Sequence, residues 1–72
     1  MQPNILICFG QTVRNLRLSQ NISQEELAER CGLHRTYISD VELGKRNVSL
    51  ENIDRIAKSL NISLSVLFKE VE

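Results

Sequence analysis

Apolar residues recur early in the chain at Ile5, Phe9, Val13 and Leu16, spacings of four, four and three that place them on one side of a helix. The stripe predicts a first helix over about 4–19, with Pro3 suited to its first turn and Gly10 weakening it by about 1 kcal/mol relative to Ala. Three tripeptides, Asn21-Ile22-Ser23, Asn47-Val48-Ser49 and Asn61-Ile62-Ser63, then punctuate the chain. They match the N-glycosylation pattern, yet nothing else suggests secretion. Each Ser reads instead as a helix N-cap, and the β-branched residue before it as half of a hydrophobic staple closing on Leu27, Ile53 or Leu67. Ser23 with Glu26 completes a capping box.

Gly32 and Gly44, able to take positive φ, end two further segments. The helices so marked run over about 24–31, 35–43, 50–60 and 64–71. Leu50, Ile53, Ile56, Ala57 and Leu60 share one face of the fourth, and Leu64, Leu67, Phe68 and Val71 one side of the fifth. With no alternating strand pattern, the expected fold is all-α, a compact five-helix bundle forming one domain over 1–72.

Residues 24–43 satisfy the demands of a helix-turn-helix. Ala28 is small where the helices approach, Gly32 makes the turn, and Leu27, Cys31, Leu33, Ile38 and Val41 stand behind both helices. With Ile38 and Val41 inward, Thr36, Ser39, Asp40 and Leu43 point outward, Arg35 borders them and Tyr37 lies on the opposite flank. Arg35 and Thr36 occupy the first turn, where a recognition helix meets base edges. Arg bonds guanine O6 and N7 together, Thr touches a thymine methyl, and Ser39 reaches a base or a phosphate. Tyr37 has two readings, a phosphate contact or partial packing beside the core. An exposed helical face of this composition also occurs on ordinary solvated helices. The spacing of Ala28, Gly32 and Ile38 is what favours DNA. Asp40 opposes it unless it accepts from cytosine N4 or pairs with a nearby cation.

Charge complicates this picture, because nine Lys and Arg balance nine Asp and Glu. Position matters more than the sum. Glu25, Glu26 and Glu29 sit together on the second helix, and Glu51, Asp54, Glu70 and Glu72 towards the end, whereas Arg35, Lys45 and Arg46 lie along or beside the proposed DNA face. The chain has one His, no CxxC and no Gly-rich phosphate loop, so no catalytic role, metal or cofactor is expected. Cys8 and Cys31 read as small core residues of a reducing compartment, with a disulfide as the alternative. The run Ile5 to Phe9 is too short to span a membrane, and the cytoplasm is the expected location.

A chain of 72 residues buries only about 60% of its unfolded surface, so its stability margin is thin and an oligomeric interface is the remaining support. The fifth helix carries more apolar residues than one inward stripe requires. It predicts a homodimer with Leu64, Phe68 and Val71 at the seam; the alternative is that they complete the monomer core.

From Val13 to Leu60 the chain resembles the Cro/CI-type, or XRE, helix-turn-helix family, through RNLRLSQNISQEELAERCGLHRTYISDVELGKRN beginning at Arg14. The segment GLHRTYISDVELGKRNVSLENI is similar to the small controller proteins of restriction-modification systems. The resemblance implies a lambda-repressor-like domain that dimerises on double-stranded DNA at a pseudo-palindromic operator. It implies an ion pair between Arg17 and Glu42, and bases facing Arg35, Thr36 and Ser39. Tyr37, Arg46 and Asn47 would contact phosphate, and Gln24, opening the second helix, would hold another. His34 departs from the short polar residue expected to cap the third helix. Controllers of this kind activate at low occupancy and repress when further dimers bind, and Glu25 and Glu29 are candidate contacts for RNA polymerase. A simple Cro-like repressor and a protein-interaction module of the same fold are the rival readings.

Overall fold

A computed structural model describes residues 4–71; Pro3 and Glu72 lie outside the described residues. The fold is all-α, as expected, with α1 (Ile5–Ser19), α2 (Gln24–Cys31), α3 (Arg35–Glu42), α4 (Leu50–Ser59) and α5 (Leu64–Val71). Leu43 and Leu60, expected inside α3 and α4, are their C-caps. The core joins Val13, Leu27, Ile38, Val41, Ile56, Leu60 and Leu67, drawn from every helix or its cap. Helix α3 packs on α1 and α2, α4 on α2 and α5, and α5 on α1.

Four helix ends turn by one device, a left-handed residue followed by an N–H that reaches back five residues. The left-handed residues are Asn21 (φ 60°), Gly32 (φ 69°), Gly44 (φ 74°) and Asn61 (φ 58°). The back-bonds run from Ile22 to Arg17 O at 3.3 Å, Leu33 to Ala28 O at 2.9 Å, Lys45 to Asp40 O at 2.9 Å, and Ile62 to Ala57 O at 3.0 Å. Asn visits this conformation at less cost than most residues, which explains the two Asn-Ile-Ser repeats. Ile22, Leu33 and Ile62 turn onto the core, whereas Lys45, at the equivalent place after α3, is exposed. Three corners close the bundle and the fourth carries Lys45, Arg46 and Asn47 outward.

Three expectations need correction. Ile5 is 65% exposed: in the first turn of α1 the Gly44 corner lies against Ile7, and Ile5 points to solvent. Leu50 is 72% exposed: Val48 and Ile53 both pack on the core at that end of α4, and Leu50 projects past them. The capping box is half made. Ser23 Oγ accepts from Glu26 N at 3.0 Å, but the Glu26 carboxylate pairs with Arg30 instead of returning to Ser23.

Gly10 proves to be a packing residue as well as a weak helix former. A Cβ there would stand within 2.9 Å of Val41 O, Glu42 O and Glu42 C, so its absence lets α1 approach the end of α3. That approach brings Arg17 and Glu42 together.

Candidate nucleic-acid interface

Helix α3 is tied to the bundle through the carboxylate at its last residue. Arg17 Nε donates to Glu42 Oε2 at 2.7 Å and Nη2 to Oε1 at 3.1 Å, while Nη1 donates to Ile22 O at 2.9 Å. Gln24 Nε2 adds a bond to Glu42 Oε1 at 3.0 Å. Both ionic residues are 7% exposed, and among the described residues no buried side-chain polar atom lacks a partner. An acid at a helix C-terminus meets the negative end of the dipole, so Glu42 is held there by its cation and donors. One carboxylate thus joins α1, α2 and α3.

At the other end His34 is the N-cap: its Nδ1 accepts from Thr36 N at 3.2 Å. An accepting Nδ1 leaves the neutral ring's hydrogen on Nε2 of this exposed residue. The departure from a short capping residue is therefore a substitution of one acceptor for another. The sequence signal for it was the position, immediately before Arg35.

Between these anchors α3 presents Arg35 and Thr36, both exposed, and half-buried Ser39, which follows them by four and three residues respectively. Tyr37 packs beside the core, as one of its two readings expects, and its hydroxyl accepts from Asn52 Nδ2 at 3.1 Å. The Arg46 guanidinium lies 5.1 Å from the Tyr37 ring centroid, and Arg46 Nε is 3.4 Å from Asp40 Oδ2. Asp40 is thereby paired with a cation of the following corner, and Asn47 stands exposed beside it. Gln24 is part-buried with one amide hydrogen committed to Glu42. Sequence reasoning missed Asn52, because it lies fifteen residues from Tyr37 and only the packing of α4 brings them together.

The charges separate as well. Glu25 and Glu29 are exposed on α2, while Glu26 and Asp54 are paired within their helices with Arg30 and Lys58. Both cysteines are free thiols, Cys31 buried and Cys8 half-buried. Burial raises the Cys31 thiol above its ordinary range, partly offset by the Ser59 hydrogen bond and the charge of Arg55. Among the described residues no His, Cys, Asp or Glu cluster is arranged to hold a metal, and no helix is long and apolar enough to cross a membrane.

A family model described as helix-turn-helix matches residues 13–67. The control protein C.BamHI of Bacillus amyloliquefaciens is 60% identical over 63 residues, covering 86% of this chain and 78% of that protein. The control protein C.MunI of a Mycoplasma species is 46% identical over 70 residues, 96% of this chain and 95% of that one. The crystal structure of the restriction-modification controller protein C.AhdI from Aeromonas hydrophila superposes with a TM-score of 0.85 at 49% identity, covering 88% of this chain and 96% of that chain. The chain therefore belongs to the helix-turn-helix family and, within it, to the controller proteins of restriction-modification systems, non-enzymatic DNA-binding regulators of transcription.

Proposed function

We propose that the chain acts as a single domain that pairs through α5 and lays two α3 helices in successive major grooves of a pseudo-palindromic operator. Arg35, Thr36 and Ser39 read base edges, while Gln24, Tyr37, Arg46 and Asn47 contact the backbone. The observation that carries this reading is the fixing of α3 from behind by Arg17 and Glu42, with Arg35 and Thr36 exposed on its first turn. Half-sites on such an operator lie about one helical turn, or 10 base pairs, apart.

The test uses a labelled duplex recovered from a random pool by the wild-type chain. Arg35→Ala should weaken binding by about 1–3 kcal/mol and relax the preference at one position in each half-site. Arg46→Ala should weaken binding to all sequences alike and make the salt slope shallower by about 1 per protomer. Full sequence preference in the Arg35→Ala protein would place base reading elsewhere.

Regulation follows from the other exposed charges. Glu25 and Glu29 form an acidic surface on α2 that suits a basic face of RNA polymerase, so a bound dimer activates and further dimers, occluding the promoter, repress. Replacing both with Ala should abolish activated transcription and leave duplex binding intact. Undiminished activation by that double variant removes the polymerase contact.

A further inference from the structure

We propose that Asn52 is a positioning residue for DNA binding, holding the Tyr37 hydroxyl as a proton donor to a backbone phosphate. The inference rests on the reading of Tyr37 as a phosphate contact and gives that contact its direction. Asn52 Nδ2 donates to Tyr37 Oη at 3.1 Å in a part-buried setting, so the phenol oxygen is the acceptor in this bond. A phenol has one hydrogen to give, and this bond leaves it for another partner. Were the bond reversed, with the hydroxyl donating to the amide oxygen, Tyr37 would have no donor left.

The surroundings fix the ring in place and select the partner. The ring is packed against the core, and Arg46 lies across it at 5.1 Å from the centroid, itself held by Asp40. The backbone that carries Asn52 is fixed in turn, since its N–H donates to the α4 cap Ser49 Oγ at 3.1 Å. A spare hydroxyl hydrogen beside a guanidinium suits a group that only accepts and carries negative charge. Phosphate oxygens meet both conditions. In this arrangement Asp40, which opposes DNA when considered alone, keeps Arg46 over Tyr37 and so belongs to the same support.

A double-mutant cycle tests the coupling by fluorescence anisotropy, using the duplex selected by the wild-type chain and thermal melts as a control for folding. With Tyr37 present, Asn52→Ala should weaken binding about fivefold, the effect of a hydrogen bond of ordinary strength. In the Tyr37→Phe background the same change should cost less than about twofold. A merely structural Asn52 would weaken binding equally in both backgrounds. If Asn52→Ala lowers the melting temperature, Asn52→Leu, which keeps the volume and removes the donor, repeats the cycle with the same expected outcomes. Wild-type affinity in Tyr37→Phe would remove the phosphate contact and the inference with it. A loss at Tyr37→Phe with none at Asn52→Ala, or equal losses from Asn52→Ala in both backgrounds, overturns the inference and leaves the Tyr37 contact standing.

Discussion

Glu42→Ala is expected to lower the stability of the folded chain by about 3–5 kcal/mol, measured by urea unfolding followed by circular dichroism. The reason is what it leaves behind. Arg17, 7% exposed, keeps only its bond to Ile22 O, and the Gln24 amide loses its acceptor. For a chain of 72 residues the whole margin is on the order of 4–11 kcal/mol, so one substitution removes a large part of it. Replacing both partners with apolar residues of similar size, Arg17→Met with Glu42→Leu, should be much milder, because no unpaired charge then remains buried. The double variant separates two roles of the pair. It should fold, yet bind DNA more weakly, since the fork of bonds that sets the end of α3 against α1 is gone. A Glu42→Ala protein within about 1 kcal/mol of wild type would show that the pair is not the anchor.

The elements of this fold are legible in the sequence wherever the signal is local. Ser23, Ser49 and Ser63 mark helix starts because a cap acts within three residues, and Gly32 and Gly44 mark ends because positive φ is a property of one residue. The failures share a cause. Ile5 and Leu50 have the right periodicity, but burial requires a facing element, and periodicity says nothing about where a neighbouring helix stops. Glu26 satisfies the capping-box spacing, but Arg30 one turn later offers it a charge. At the site, the exposed first turn of α3 follows from helical geometry once Ile38 and Val41 are inward. The link from Tyr37 to Asn52 does not, since it joins two helices across fifteen residues. The role of Asp40 is hidden in the same way, because its cation arrives from the corner that follows the helix.

Phe68→Asp is expected to convert a dimer into a monomer in sedimentation velocity and to bring DNA affinity down towards its nonspecific level. Within α5, Leu67 is fully buried and Leu64 and Val71 pack on the core, whereas Phe68 is 42% and Val66 46% exposed. The three residues assigned to the seam therefore divide. Leu64 and Val71 pack on the monomer core, and Phe68 is left exposed as the proposed anchor for a partner. Aromatic anchors of this kind are worth about 2–4 kcal/mol, and across a twofold axis each substitution acts twice and sets two carboxylates against the same seam. Dimerisation should weaken by a factor of at least about 100. Because Phe68 lies outside the core, the variant should still fold cooperatively, its melting temperature lowered only by what the lost interface contributed, while Leu67→Asp should not fold. Charge is the reason that DNA binding is expected to depend on this proposed seam. Nine basic against nine acidic residues give a lone protomer little general attraction to DNA, so its affinity is expected to come from doubling a small set of directed contacts. The wild-type dimer should accordingly show a log K against log salt slope shallower than about minus 10, and the Phe68→Asp monomer a slope near half of that of the dimer. An unchanged dimer in the Phe68→Asp protein would move the interface away from α5, and with it the predicted spacing of the half-sites.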